Sequence, residues 1–208
     1  SGSSSSDQVV PKLRFESLKG FPALNSENAK IPTEEFLHAS TEIVSLVESF
    51  GTLFMPVVYD MNGNIEKIRK FYDKNKEKHF YLEDLIILSK DDPNSNAGLS
   101  LLWLKRALEL IAAFFHNIVS DKNLSENLKE SLKSAYEEAL KPFHGWFIQQ
   151  TFSLIYGWVP TRSQLIGQGE KHTENVKSIE ALLPRMQANI KQIHLLLVTH
   201  KFDNNKKV

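Results

Sequence analysis

The chain has no cysteine among its 208 residues. This absence excludes a disulfide framework, a zinc site with cysteine ligands and a thiol nucleophile, and it fits a reducing compartment. Net charge is also lacking, because 25 Lys and Arg residues balance 25 Asp and Glu residues. A neutral protein has no overall field that would steer it onto nucleic acid, so we expect no nucleic-acid partner.

Several kinds of functional segment are missing as well. The most apolar stretch, 99–119, is interrupted by Lys105, Arg106, Glu109 and His116. A charge near a bilayer centre costs about 3 kcal/mol on insertion scales, so this stretch is expected to be a buried helix rather than a membrane span. The chain shows no nucleophile–base pair, no metal-ligand pair and no glycine-rich phosphate loop. We therefore predict no enzymatic activity, no cofactor and no metal site.

What the sequence does contain is helical periodicity over nearly its whole length. The serine-rich start reads as an expression tag over residues 1–9, and residues 10–208 are predicted to form one all-α domain. Helices are predicted at about 33–50, 56–74, 81–89, 95–119, 125–156 with a break at Pro142, and 173–200, with a short helix near 161. Thr33 is the predicted N-cap of the first helix. Gly63 lies inside the second, where it costs about 1 kcal/mol against Ala, so we hypothesise that a backbone or a ligand approaches it closely.

Three polar residues on the second predicted helix are the first functional candidates. Asp60, Asn64 and Lys67 follow spacings of four and three, which places them on one helical face. A carboxylate, an amide and an ammonium group together form a recognition set for a ligand with many hydroxyls. The alternative is an ordinary solvated helix surface.

Two aromatic clusters are the other candidates. Trp103 lies in the most apolar helix, where its ring is suited either to stacking on a sugar or an aliphatic chain, or simply to core packing. His144 follows Pro142, where a disturbed helix leaves an imidazole available to a ligand. A core histidine is the alternative interpretation.

These three clusters, in this order, resemble the glycolipid transfer protein family. The matching motifs are Asp-x-x-Gly-Asn-Ile-x-Lys from Asp60, Leu-x-Trp-Leu-Lys-Arg around Trp103, and His-Gly-Trp from His144. The resemblance covers the chain from about Pro32 to Val208. It implies a single-domain, two-layer helical fold that encloses one lipid in a hydrophobic tunnel. It also implies ATP-independent transfer of glycosphingolipids between membranes, by a cytoplasmic protein that is peripheral at cytosolic membrane faces.

The resemblance also implies a role for individual residues. Asp60, Asn64 and Lys67 would hydrogen-bond the first sugar, Trp103 would stack beneath its ring, and His144 would bind the ceramide amide. The implied tunnel residues are Val57, Leu99, Leu140 and Phe152. Trp146 is similar to the family's interfacial tryptophan, and Phe147 would assist it in docking on the membrane.

A related branch of the family handles ceramide-1-phosphate and has a basic residue in place of the stacking tryptophan. Trp103 therefore favours a neutral glycolipid headgroup, since one acid, one amide and one lysine make a weak phosphate site. Lys206 departs from the pattern, because glycolipid-binding members often have a tyrosine there. A glycolipid sensor or adaptor that reports to a protein partner stays open, as does a helical interaction module without lipid.

Overall fold

The computed structural model describes residues 9–208, and most of the predicted expression tag lies outside this range. Within it, eight α-helices follow one another along the chain: α1 (Thr33–Glu48), α2 (Met55–Lys74), α3 (Leu82–Ser89), α4 (Ala97–Ser120), α5 (Lys129–Ala139), α6 (Trp146–Gly157), α7 (Arg162–Ile166) and α8 (Gly169–Thr199). In the same range the isolated β-bridge pairs Pro32 with Tyr81, and no strand is formed.

Helix α4 is the central element, because it packs against α2, α5 and α8, while α1 packs on α2. Its leucine-rich sequence favours a helix and is buried almost all round, including Leu101, Leu104 and Leu108 at 0% exposure. The buried Lys105 forms an ion pair with Glu109 on the same helix, with 2.7 Å between the lysine Nζ and the glutamate Oε1. Within residues 9–208, no helix combines the length and apolarity needed to cross a bilayer.

The predicted run 125–156 is divided by the residues around Pro142. Helix α5 ends at Ala139, a 3-10 turn covers Lys141–Phe143, and α6 begins at Trp146. His144 between them has extended backbone, with φ −106° and ψ 135°. The proline sits in the first turn of the 3-10 segment, where its missing N–H leaves no helical bond unmade.

One local prediction is wrong, and one hypothesis is wrong in part. Thr33 is not an N-cap: Pro32 holds that position, and the Thr33 hydroxyl donates instead to the carbonyl oxygen of His79 at 2.8 Å. Gly63 is not approached by another backbone, because a Cβ built on it would meet no protein atom within 4 Å. Gly63 is exposed, so close packing by another backbone is wrong, and the approach of a ligand stays a prediction.

Candidate functional site

A cavity of about 630 Å³ opens between α2, α4 and the α5–α6 region. This volume is in the range typical of ligand pockets. Every residue predicted for the headgroup and the tunnel contributes to its wall. The lining residues are Pro56, Val57, Asp60, Asn64, Lys67, Asn96, Leu99, Ser100, Trp103, Ala107, Leu140, His144, Ile148, Thr151, Phe152, Ile155 and Val208.

Helix α2 supplies the polar wall of the cavity. Its other face is anchored in the core by Met61 and Ile68, both 0% exposed, so the polar face is held towards the cavity. Asn64 is buried, whereas Asp60 and Lys67 are exposed. Among residues 9–208 none of these three side chains has a hydrogen-bond or ion-pair partner within the distance limits of such bonds. Their donors and acceptors are free to meet a ligand.

The charge state of Asp60 is set by two opposing effects. Although the residue is exposed as a whole, neighbouring atoms of the cavity wall remove part of the hydration of the carboxyl and raise its pKa, and the nearby charge of Lys67 lowers it by a smaller amount. The net effect is an Asp60 pKa above its ordinary value of 3.8. A carboxylate that lacks part of its hydration gains more from hydroxyl donors than a fully solvated one would.

Trp103 is half-buried, and the guanidinium group of Arg106 packs against its ring. The guanidinium carbon of Arg106 lies 4.8 Å from the centre of the Trp103 ring and 3.5 Å from that of Phe143. Arg106 also donates to the carbonyl oxygen of Asn204 at 2.5 Å and contacts Asp203 Oδ1 at 3.4 Å. This arginine therefore ties Trp103 to the C-terminal segment 202–208, and it is unavailable as a direct headgroup ligand because it is 0% exposed.

His144 lies beside Trp103 at the polar end of the apolar wall. The two rings are nearly parallel, at 14°, with centroids 6.2 Å apart. Burial, and secondarily the charge of Arg106, lowers the pKa of His144, so its imidazole is neutral at pH 7.

Tyr136, which the sequence reasoning missed, orients that imidazole. Its hydroxyl lies 3.0 Å from His144 Nδ1, and burial raises the Tyr136 pKa to about 12. The phenol therefore keeps its proton, and the direction of the bond follows the tautomer of His144: when the imidazole proton is on Nε2, the phenol donates to Nδ1. Tyr136 also stacks on Phe152, with centroids 4.1 Å apart. The spacing of eight residues gives no sign of this pair.

The predicted tunnel residues differ in depth. Leu140 and Phe152 are buried, at 7% and 5% exposure, whereas Leu99 is 49% exposed and so lies at the rim. Val57 is half-buried. Ala107, Ile148 and Ile155 extend this apolar wall and were not foreseen, because nothing in their spacing separates a cavity wall from ordinary core.

The predicted docking residues lie outside the cavity. Trp146 and Phe147, at the start of α6, are 72% and 74% exposed. Trp158, at the other end of the helix, is 71% exposed. Only Phe152 and Ile155 of α6 are buried, and both line the cavity. One helix thus forms part of the cavity wall and presents exposed aromatic rings.

The C-terminal segment completes the wall. Val208 lines the cavity and pairs with the turn before α6, since its N–H donates to Phe143 O at 3.0 Å and its carbonyl accepts from Gly145 N–H at 2.8 Å. Lys206 is exposed and does not line the cavity.

Comparison with known sequences identifies the class of protein that has this all-helical fold and cavity. Residues 31–170 match the sequence profile described as glycolipid transfer protein (GLTP). The chain belongs to this family of lipid transfer proteins. The resemblance noted in its three motifs is thereby confirmed.

Curated relatives agree with this assignment. The chain is 30% identical over 181 residues to the glycolipid transfer protein of Xenopus tropicalis, covering 80% of this chain and 87% of that one. It is 26% identical over 197 residues to pleckstrin homology domain-containing family A member 8 of Homo sapiens, covering 88% of this chain. The chain spans only 37% of the length of that second relative.

Solved structures confirm the predicted all-α, two-layer fold. The GLTP-fold structure of FAPP2, described as selecting simple glycosphingolipids, superposes with a TM-score of 0.79 at 24% identity, over 95% of this chain and 97% of that one. The fungal glycolipid transfer protein HET-C2 gives 0.76 at 25% identity, over 94% and 100%. Mouse ceramide-1-phosphate transfer protein gives 0.77 at 16% identity, over 86% and 93%. Proteins described with different lipids therefore share this fold.

Proposed function

We propose that this protein binds a glycosphingolipid, with the sugar headgroup at the polar wall and the ceramide chains along the apolar wall, and transfers it between membranes without ATP. One observation carries the proposal. Asp60, Asn64 and Lys67 line the same cavity as the half-buried Trp103, and all three lack partners within the described chain. An apolar ring beside unpartnered donors and acceptors suits a sugar, which has C–H faces and hydroxyl edges.

His144 is proposed to set the depth of the lipid. We place the proton of its neutral imidazole on Nε2, the tautomer that accepts at Nδ1 from Tyr136, so that an Nε2–H donor lies beside Trp103. The amide of ceramide follows directly after the headgroup linkage, so a donor at this position would bind the amide carbonyl. The tunnel residues Leu140 and Phe152 would then receive the chains, at about 0.8 kcal/mol for each methylene buried.

The cavity is less suited to a phosphate headgroup than to a neutral sugar. A phosphate ester requires charge-assisted donors, for which arginine is the best residue. Lys67 is the one cationic side chain of the cavity wall described here, and it shares that wall with the acidic Asp60. Arg106 is 0% exposed and does not line the cavity, although its Nε and Nη1 have no hydrogen-bond partner within residues 9–208. These features favour a neutral sugar over ceramide-1-phosphate.

Delivery to a membrane would use the exposed rings of α6. Trp146 and Phe147 have the amphipathic or apolar character that favours the headgroup layer of a bilayer, and docking through a few side chains is reversible. Reversibility is what a carrier needs, because it must leave each membrane after every exchange. No catalytic step is part of this proposal.

The test is transfer of fluorescent glucosylceramide and galactosylceramide between vesicles, with ceramide-1-phosphate and sphingomyelin in parallel. We expect many glycolipids to be moved per protein molecule. Selective transfer of ceramide-1-phosphate would contradict the headgroup assignment. Stoichiometric binding without turnover would favour the sensor or adaptor function.

Trp103→Ala is the accompanying variant and is expected to lower glycolipid transfer by more than tenfold. Because Trp103 is only half-buried, the variant should lose less stability than the about 3–5 kcal/mol typical of a fully buried tryptophan. Its helical circular dichroism should match that of the wild type. Global unfolding of Trp103→Ala would instead assign this residue to the core, and Trp103→Phe, which keeps an aromatic face, should retain intermediate transfer.

A further inference from the structure

Ser100 is a buried polar residue of the cavity wall for which the fold provides no partner. It is 3% exposed and lines the cavity, one turn before Trp103 on α4. Its hydroxyl forms no hydrogen bond with any of residues 9–208, although it is not sealed among protein atoms in the way that Ser40 Oγ is. The residue is buried while its hydroxyl opens onto the cavity, so this hydroxyl is available to a group that enters the cavity.

Several other helical serine and threonine residues of this chain bond their hydroxyl locally, although Ser40 does not. Thr41 donates to Leu37 O at 2.9 Å, and Ser178 donates to Glu174 O at 3.1 Å, which is the usual bond to the carbonyl four residues earlier. At Ser100 the equivalent carbonyl, that of Asn96, accepts only the backbone N–H, at 2.8 Å. The Ser100 hydroxyl is therefore left for a group in the cavity.

The position of Ser100 indicates which part of a ligand it would meet. Three residues along an α-helix correspond to about 4.5 Å along its axis, so Ser100 is displaced by less than one turn from the ring of Trp103. Polar residues occupy this end of the α4 wall, with Asn96 one turn further on, while Ala107 lies at the other end. The hydroxyl thus belongs to the polar end of the cavity.

We propose that Ser100 is a further headgroup-binding residue, whose hydroxyl hydrogen-bonds a hydroxyl of the sugar that stacks on Trp103. This inference rests on the proposed glycolipid-binding function and adds a hydrogen bond from α4 to those that α2 would make with the sugar. A serine hydroxyl both donates and accepts, which suits a sugar hydroxyl. Recognition from two helices would hold the ring at two edges, and would orient it more strictly than α2 alone.

The proposal predicts opposite effects of one substitution on stability and on function. In Ser100→Ala, a residue of higher helix propensity replaces one with an unpartnered buried hydroxyl, so the melting temperature should be equal to that of the wild type or higher. Glucosylceramide and galactosylceramide transfer should nevertheless fall by about three- to tenfold, the loss expected for one hydrogen bond. A residue with a purely structural role would not separate the two measurements in this way.

Ser40→Ala is the matched control. Ser40 lies in α1, is 0% exposed, and its hydroxyl also has no partner, but it does not line the cavity. The control should likewise keep or raise the melting temperature, and its vesicle-to-vesicle transfer of both lipids should equal that of the wild type.

Each other result has a definite meaning. If Ser100→Ala transfers both glycolipids at the wild-type rate, the sugar contact is wrong while the proposed function stands. If Ser100→Ala melts lower and loses transfer together, its role is packing and the proposal is overturned. If the wild-type protein transfers neither lipid, the proposed function fails first, and the role of Ser100 fails with it.

Discussion

The Asp60 carboxylate lies where neighbouring protein atoms remove part of its hydration, and its pKa is raised for that reason. A carboxyl whose pKa is higher in the folded protein than in the unfolded chain stabilises the fold only at low pH. This contribution is fully present below the unfolded pKa and is lost as the pH rises through the folded pKa. At pH 7 the charged form of Asp60 therefore opposes folding, and a bound sugar would compensate it with hydroxyl donors.

Asp60→Asn should consequently be more stable than the wild type at pH 7, because it removes a poorly hydrated charge, and this advantage should disappear below the ordinary aspartate pKa. Glycolipid transfer should fall about tenfold or more, since charge-assisted hydrogen bonds are lost. Urea unfolding at pH 7 and at about pH 3.5 checks the first effect, and vesicle transfer checks the second.

Asp91→Asn, in an exposed loop, is the control and should change neither the stability nor the transfer rate. Lower stability of Asp60→Asn at pH 7 would show that the carboxylate supports the fold.

At the scale of elements, the C-terminal segment packs closely on α4 because Gly98 has no side chain. A Cβ added to Gly98 would overlap the ring of Phe202, whereas a Cβ on Gly63 of α2 would meet nothing. Arg106 and the pairing of Val208 with the turn before α6 hold the rest of the segment. The path of residues 202–208 therefore depends on the absence of a side chain at position 98.

Gly98→Ala is expected to displace Phe202 and to loosen the segment that follows it, even though alanine favours the helix by about 1 kcal/mol. Amide hydrogen exchange of residues 203–208 should become faster, and a bound glycolipid should dissociate faster because Val208 no longer completes the cavity wall. Gly63→Ala, the matched control, should gain about 1 kcal/mol of stability without a change in exchange or release. Unchanged exchange at 203–208 in Gly98→Ala would contradict the closing role of this segment.

The helices themselves were predicted well, and the connections were not. Helices α2, α3 and α4 begin and end within two residues of the positions that periodicity indicated, because their apolar stripes repeat over several turns. The final helix α8 begins four residues earlier than predicted, at Gly169, since helix ends carry weaker signals than helix interiors. The dependence of the C-terminal segment on Gly98 could not be predicted, because it joins residues about 100 positions apart.

At the scale of the whole molecule, a chain without net charge has no general attraction to anionic membranes, so the docking we propose would depend on specific exposed rings. Trp146→Ala and Phe147→Ala should each weaken binding to neutral phosphatidylcholine vesicles by about tenfold, the effect of one apolar side chain leaving water. Melting temperature should not change, because both residues are more than 70% exposed. Sedimentation with vesicles measures the binding. Leu195→Ala on α8, 57% exposed, is the control, and an equal loss there would show that docking is not confined to α6.

The sequence alone determined the all-α class, the family and the residues of the three candidate clusters, because these depend on local periodicity and on short motifs. Only resemblance brought Asp60, Asn64, Lys67, Trp103 and His144 together in the sequence, and the structure finds that all five line one cavity. Tertiary structure alone decided that Tyr136 orients His144, that Arg106 joins Trp103 to the C-terminal segment, and that the Ser100 hydroxyl has no partner in the fold. Each of these depends on which side chains meet across helices, and contacts between helices leave no period in the sequence of either one.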